Sequence, residues 1–251
     1  MEELLVYYAI KYQGDYNKIQ KAILDNEIYT KTKIEEAIYS LQSNYITILS
    51  KHYPVALHQL DNPPYVLFYY GDIGLLNTKS ITIVGMRQPS DYGQKTTKEF
   101  TEKLVKKGYH IISGMAYGID TIAHLSCIKH QGKTIAVLGS GIDYCYPKIN
   151  TQLYHLLKKE HLLISEYPNL TLPKPYYFPF RNRIVAALSK ATLVTEAKKR
   201  SGTMITVGHA LQLGKPVFCI PGSIYGHTGC LELIRDGAKL VITINDIIEE
   251  L

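Results

Sequence analysis

Short runs of apolar residues recur along the chain from Ile81 onward, and stretches long enough to form helices lie between them. The runs are ITIVG (81–85), YHIIS (109–113), TIAVLG (134–139), HLLIS (161–165), ATLVTEA (191–197), PVFCIPG (216–222) and KLVITI (239–244). Near-continuous apolar strands that alternate with helices are typical of a parallel sheet covered on both faces. The pattern therefore predicts an α/β domain built on a doubly wound, mainly parallel sheet.

The N-terminal part of the chain has a different period. Apolar residues recur at three- and four-residue spacing within residues 4–12, 19–23 and 34–41, which predicts helices. Prolines 54, 63 and 64 follow, and an apolar run over 65–70 predicts a strand. We predict a small helical N-terminal domain over residues 1–60 and the α/β domain over residues 61–251.

Composition and charge narrow the cellular setting. The formal net charge of +6 favours polyanionic partners only mildly. None of the four cysteines (Cys127, Cys145, Cys219 and Cys230) has CxxC spacing, which suits a reducing compartment. The N-terminus lacks the features of a secretion signal, and no segment has the roughly eighteen apolar residues needed to span a bilayer. We therefore expect a cytoplasmic protein that does not bind membranes.

Glycine, hydroxyl and basic residues follow the predicted strands again and again. The segments are GMRQPSDYG (85–93), SGMAYGID (113–120), GSGIDYCYP (139–147), SEYP (165–168), EAKKRSGT (196–203) and PGS (221–223). In a doubly wound fold, ligands bind outside the carboxyl ends of the strands. Helix N-termini and arginine side chains at that edge attract anions. The sequence thus predicts a site for a phosphate-bearing ligand.

The sequence contains no complete dinucleotide-binding, P-loop or metal-binding motif. GSGIDY (139–144) departs from a dinucleotide fingerprint because Tyr144 replaces the third glycine and the motif follows the third strand of the domain. The chain has no GxxxxGK[ST] motif. Asp120, His124 and Cys127 share one predicted helix face, but a capping Asp, an ordinary His and a core Cys are the favoured interpretation over a metal site. We expect no cofactor and no metal.

Two segments suit nucleic acid better than a small cofactor. AKKRSG (197–202) is either a solvated basic turn or a phosphate contact, and its place after a strand favours the contact. FPFRNR (178–183) is either a surface loop with incidental arginines or a site for stacked bases. Aromatic rings beside arginines are the combination that binds unpaired bases and their phosphates, so the second interpretation is favoured.

These segments, in this order and spacing, resemble the signature blocks of the DprA/Smf (DNA processing protein A) family. The segments are VGMRQPSDYG, SGMAYGIDTIAH, GSGIDYCYP, SEYP with FPFRNRIVAALS, VTEAKKRSGTMIT and the PG…G…LIRDGA ending, and the resemblance spans roughly residues 53–245. It implies a Rossmann-like fold and a protein, not an enzyme, that binds single-stranded DNA. It also implies a homodimer that protects incoming strands and helps to load the RecA recombinase in natural transformation.

The resemblance also implies which residues bind DNA. Arg87 is expected to grip a phosphate in a pocket lined by Gly85, Ser113 and Gly114. Lys148 is expected on the DNA face, and Phe178 as a stacking platform. The other expected contacts are Arg181, Asn182, Arg183, Ser201, Gly202 and Thr203, with Glu196 on the same wall.

The chain departs from the family pattern at several points. The GxN that usually precedes the LI is Gly229, Cys230 and Leu231 here, and the usual glycine before the LS is Ala187. The chain ends without the C-terminal winged-helix-like domain of many members, and its N-terminal segment lacks the glycine hairpin of a DNA-binding helix-hairpin-helix.

Other functions and roles stay open at this point. The main rival is a nucleotide-processing hydrolase of the lysine-decarboxylase-like (LOG) group, whose PGGxGTxxE signature is only partly matched by RSGTMIT (200–206). A small-nucleotide sensor is a third alternative. The apolar residues of 231–241 form either a dimer interface or plain core, and Arg87 either holds a phosphate or ties two loops together.

Overall fold

The computed structural model describes residues 1–251 and contains a single nine-stranded sheet. The strands are β1 (Asn44–Thr47), β2 (Val66–Gly71), β3 (Ser80–Val84), β4 (His110–Ser113), β5 (Thr134–Leu138), β6 (Leu162–Ser165), β7 (Thr192–Val194), β8 (Val217–Cys219) and β9 (Lys239–Leu240). The α-helices are α1 (Glu2–Lys11), α2 (Tyr16–Leu24), α3 (Lys31–Tyr39), α4 (Asp91–Lys106), α5 (Ile119–Lys129), α6 (Thr151–Glu160), α7 (Tyr177–Leu188), α8 (Gly202–Gln212), α9 (Gly229–Arg235) and α10 (Asn245–Ile248).

The sheet order is β1-β2-β6-β5-β4-β3-β7-β8-β9. All neighbours from β6 to β9 are parallel, whereas β1–β2 and β2–β6 are antiparallel. The chain first runs outward from β3 through β4, β5 and β6, and then places β7 on the other side of β3. The reversal between β3 and β7 is the switch point where a doubly wound sheet opens a crevice. The predicted fold class is confirmed.

Helices cover both faces of the sheet because successive strand residues point to opposite sides. Ile112, Val137 and Ile164 pack against α7 and α8 on one face. On the other face, Ile111 packs with α4 and α5, and Leu163 packs with α1, α2 and α6. This double burial explains why the strands are near-continuous apolar runs.

The N-terminal helices are part of this second layer. Leu5, Tyr8 and Ile19 share one buried cluster with Phe68 of β2. The sequence predicted only helices over residues 1–60, but residues 44–47 form strand β1, which pairs with β2 at the sheet edge. That prediction is corrected for residues 44–47, because pairing with β2 satisfies the backbone hydrogen-bonding groups of this short segment. The division into two domains at residue 60 stays a hypothesis.

One buried histidine, His124, is hydrogen-bonded within the fold. The Nδ1 atom of His124 lies 2.7 Å from Oγ1 of Thr134, whose hydroxyl donates to the carbonyl of Ile111. The Thr134 hydroxyl hydrogen is thereby used, so Nδ1–H of His124 is the donor. Its Nε2 is buried without a partner, and burial lowers the pKa of His124 to about 3. The fold therefore requires a neutral His124.

None of the helices combines the length and the apolar composition that crossing a bilayer requires.

Candidate nucleic-acid interface

A cavity of about 700 Å³ opens at the carboxyl ends of β3, β4 and β7, between α7 and α8. It lies at the switch point of the sheet, where the fold is expected to bind a ligand. Nine predicted site residues line it: Gly85, Arg87, Gly114, Phe178, Arg181, Asn182, Ser201, Gly202 and Thr203. Strand-end loops that are far apart in sequence therefore meet in one place.

Arg87 follows β3 with an exposed side chain at the cavity, and it pairs with no carboxylate. The backbone beside it is fixed. The Met86 N–H donates to the carbonyl of Glu196 at 3.0 Å, and the Thr203 hydroxyl donates to the carbonyl of Gly85 at 3.0 Å. The loop is thus tied by its backbone, which leaves the guanidinium of Arg87 available for a ligand.

Glu196 fastens the same loop from the β7 side. Its carboxylate accepts the Ser90 N–H at 2.8 Å and the Ser90 hydroxyl at 2.7 Å, and the side chain is buried. A Cβ on Gly93 would clash with the Glu196 carboxylate, so a larger residue at this point of α4 would push that carboxylate away from Ser90. Glu196 therefore positions the Arg87 loop and does not face the cavity as a ligand contact.

Arg181 forms the floor of the cavity. Its Nη1 donates to the carbonyl of Gly114 at 2.7 Å and to the carbonyl of Val137, and only 4% of the residue is exposed. Burial lowers the pKa of Arg181 to about 10, against the opposing attraction of Asp120. The guanidinium remains charged at neutral pH and adds positive potential at the floor.

Asp120 is a buried carboxyl group in the same wall of the cavity. Its carboxylate accepts the N–H groups of Gly114 at 3.1 Å and Ala116 at 3.3 Å, at the start of α5. Burial raises the pKa of Asp120, although the charge of Arg181 works in the opposite direction. The cavity lining thus contains one buried carboxyl group and three basic side chains, those of Arg87, Arg181 and Lys198.

The N-terminus of α8 also opens on the cavity. Ser201 is its N-cap residue but makes no capping hydrogen bond with its side chain, so the backbone N–H groups of Gly202 and Thr203, the first two of the helix, are left to a ligand. Asn182 Nδ2 donates to the carbonyl of Gly202 at 3.3 Å and thereby ties α7 to this end of α8. The uncapped helix end adds backbone donors for an anion to the nearby cations.

Phe178 contributes aromatic surface to the cavity. It lies in the first turn of α7 and is half-buried. Its ring packs on the backbone of Gly139, where a Cβ would approach Cδ1 of Phe178 to 2.7 Å. The ring is therefore backed by the β5 loop while it lines the cavity.

Three predicted residues do not line the cavity. The Ser113 hydroxyl donates to the carbonyl of Ile83 inside the sheet. Arg183 forms a buried ion pair with Glu166 at 2.7 Å and lies over the ring of Phe180 at 3.6 Å. Lys148 is exposed outside the cavity, with its Nζ 4.7 Å from the ring centroid of Tyr144.

Sequence reasoning left other cavity residues out of the site. Gln88, Tyr117, Asp120, Lys198 and Thr206 also line the cavity. The first four follow the same strand ends as the predicted residues, so their position was a signal that could have identified them. Thr206 lies one turn into α8, and only the packing of α7 against α8 brings it to the cavity.

The fold and the cavity define a Rossmann-like α/β protein whose site suits an anionic ligand that also carries a flat group. The sequence pattern of the family described as DNA recombination-mediator protein A matches residues 44–251. The chain belongs to this family, that of DprA and Smf proteins.

Individual relatives agree with this assignment. DNA processing protein DprA of Bacillus subtilis is 41% identical over 242 residues, covering 94% of this chain and 82% of the relative. Protein Smf of Synechocystis is 40% identical over 213 residues, which are 82% of this chain and only 54% of the relative. The chain thus spans about half the length of some relatives.

Two solved structures share the fold over most of their length. The X-ray structure of DprA from Streptococcus pneumoniae matches with a TM-score of 0.84 and 33% identity, over 100% of this chain and 98% of that chain. DNA processing protein A from Helicobacter pylori, whose structure is described for its single-stranded DNA binding mode, matches with a TM-score of 0.76 and 31% identity. That match covers 83% of this chain and 96% of the other.

Proposed function

We propose that this protein binds single-stranded DNA in the cavity and along its rim. The observation that carries the proposal is the cavity lining, where unpaired Arg87, the uncapped end of α8 and the ring of Phe178 lie together. Phosphates suit the first two groups, and an unpaired base suits the third. A duplex keeps its bases stacked inside, so the single strand is the preferred ligand.

The test compares one labelled oligonucleotide, single-stranded and annealed to its complement, by fluorescence anisotropy at several salt concentrations. We expect tighter binding of the single strand and an affinity that falls as salt rises, because released counterions accompany each neutralised phosphate. Equal affinity for the two forms, or no binding of either, would overturn the proposal.

We propose further that the protein is not an enzyme. The rival hydrolase signature has a glutamate after its GT pair, whereas Thr203 is followed here by Met204, Ile205 and Thr206. The buried carboxyl group at the cavity, Asp120, is occupied by two backbone N–H groups. Release of base from nucleoside monophosphates by the pure protein, abolished by Asp120→Asn, would instead support the hydrolase.

The cellular role that we propose follows from family membership. The protein acts in the cytoplasm, protects incoming single strands and helps RecA to load during natural transformation. The test is RecA filament assembly on single strands already coated with the host single-strand-binding protein, with and without this protein. Assembly that is not accelerated by the wild-type chain, but proceeds normally on bare DNA, would contradict the loading role.

We propose a homodimer formed near residues 231–241. Strand β9 is at the edge of the sheet and pairs only with β8, and Leu240 and Ile242 are exposed there while Val241 is buried in the core. An edge strand with exposed apolar side chains readily accepts a second copy. Light scattering is expected to give twice the mass of one chain, and Leu240→Lys is expected to give monomers. Monomers of wild-type protein at micromolar concentration would refute the dimer.

A further inference from the structure

Tyr146 presents a second aromatic ring directly beside Phe178. The two ring centroids are 5.3 Å apart and the ring planes make an angle of 41°. Tyr146 is 41% exposed, so a large part of its ring faces solvent and is not used by the core. Phe178 lines the cavity and Tyr146 does not. The pair therefore extends the aromatic surface from the cavity onto the outside of the protein.

The loop that carries Tyr146 is held in place on both sides. The Ile142 N–H donates to the carbonyl of Tyr167 at 3.0 Å. The buried side chain of Asn150 donates to the carbonyl of Met115 at 3.0 Å and to the hydroxyl of Thr121 at 2.8 Å. An aromatic ring on a fixed loop loses little conformational entropy when a planar group binds against it.

A basic side chain follows in the same loop. Lys148 is exposed, forms no ion pair, and lies only two residues beyond Tyr146. An aromatic ring with a neighbouring cation is the unit that binds one nucleotide of a single strand, with the base on the ring and the phosphate at the cation. Phe178 and the cavity cations have this composition, and Tyr146 is followed by Lys148, whose Nζ lies over the ring of the neighbouring Tyr144.

We propose that Tyr146 is a second stacking platform for single-stranded DNA, so that the strand leaves the cavity over Phe178 and Tyr146 toward Lys148. This inference rests on the proposed function, since it assigns the path of the same ligand outside the cavity. It also gives Lys148, which the cavity does not include, a place in the same interface.

The experiment combines a protein variant with a missing base. Tyr146→Leu keeps an apolar contact with Phe178 but removes the aromatic face, and the ligand is the shortest labelled oligothymidine that wild-type protein binds with full affinity. We expect Tyr146→Leu to weaken binding about tenfold, within the range measured for one stacked base. An abasic nucleotide is then moved along the strand. At one position it weakens wild-type binding to a similar extent and leaves the affinity of Tyr146→Leu unchanged.

Matched variants separate stacking from other effects. Tyr146→Phe restores the ring and is expected to bind like wild type, and Tyr39→Ala, which removes a 93% exposed tyrosine from α3, is expected to change nothing. Lys148→Ala is expected to flatten the salt dependence, whereas Tyr146→Leu is not, because a ring neutralises no phosphate.

Two results would overturn the second platform. One is that Tyr146→Leu binds the strand with the affinity of wild type. The other is that an abasic nucleotide, at every position tried, weakens binding by Tyr146→Leu as much as it weakens binding by wild type. If these results are obtained while Phe178→Ala still weakens binding, only the second platform fails. If wild-type protein binds no single strand at all, the proposed function fails and the platform fails with it.

Discussion

Replacing Arg87 by alanine distinguishes a phosphate contact from a structural role. The side chain is exposed at the cavity and pairs with no carboxylate, and its loop is fastened by backbone and Glu196 contacts that do not involve the guanidinium. Removal of the guanidinium therefore leaves the loop contacts intact. We expect the free energy of unfolding of Arg87→Ala to stay within about 0.5 kcal/mol of wild type, as for other surface substitutions.

The binding loss is larger than the loss of stability. A hydrogen bond to a charged group contributes about 1.5–3 kcal/mol, and the exposure of Arg87 places it at the lower end, which corresponds to roughly a tenfold weaker affinity. Each phosphate neutralised on a single strand contributes about 0.7 to the slope of log affinity against log salt. Arg87→Ala is thus expected to flatten that slope by about 0.7 for each protomer that binds.

The assay measures anisotropy of a labelled single strand across a salt series, together with the thermal midpoint of the unbound protein. Lys190→Ala is the matched control, because this exposed lysine precedes β7. It therefore lies at the amino ends of the strands, whereas the cavity lies at their carboxyl ends. Arg87→Lys is expected to keep the slope but lose part of the affinity, since an ammonium cannot bind a phosphate in the two-pronged manner of arginine. A lowered midpoint with an unchanged slope would show that Arg87 ties loops together.

Three further substitutions test the stacking platform, the loop support and the buried histidine. Phe178→Ala is expected to weaken single-strand binding by roughly ten- to a hundredfold, and an equal loss on duplex DNA would contradict a stacking role. Glu196→Gln removes one acceptor for Ser90, so calorimetry is expected to show about 1–2 kcal/mol less stability. The slope of log affinity against log salt is expected to stay unchanged. A flattened slope would show a direct effect on phosphate binding. His124 has a pKa of about 3 when folded against 6.5 as its ordinary value, so the unfolded chain binds the extra proton. Stability is then fully present above pH 6.5 and falls below it, by about 2 kcal/mol at pH 5. The difference in unfolding free energy between pH 5 and pH 7.5, measured from denaturation curves, is expected to be about 2 kcal/mol smaller in His124→Gln than in wild type. An unaltered difference would exclude His124 as the titrating group.

The central part of the sheet was predictable from sequence because strands β3 to β8 are buried on both faces. Each predicted run from 81–85 onward overlaps an observed strand, and burial on two sides gives β3 to β8 a nearly continuous apolar signal. β1 was missed because it is a short strand at the sheet edge that is fixed by pairing with β2. A local pattern does not carry that information.

The floor of the site was predicted less well because helix geometry decides it. Arg181 and Arg183 are two residues apart on α7, so they point to different sides of the helix. Arg181 reaches the cavity, while Arg183 turns to Glu166 and Phe180. In the sequence, FPFRNR (178–183) is one continuous aromatic and basic segment. Only the helical conformation of this segment directs Arg181 and Arg183 to different sides.

The contacts around the cavity also bear on how binding energy is distributed. Glu196 holds the Arg87 loop, Asn182 ties α7 to α8, and Gly139 backs the ring of Phe178. A site whose parts are fixed by contacts within the protein loses little conformational entropy on binding, so more of the contact energy appears as affinity. Truncating a contact side chain such as Arg87 or Phe178 then reports on that contact, whereas truncating Glu196 reports on the order of the site. The two kinds of residue are therefore separable by experiment, because the first changes affinity at constant stability and the second changes both.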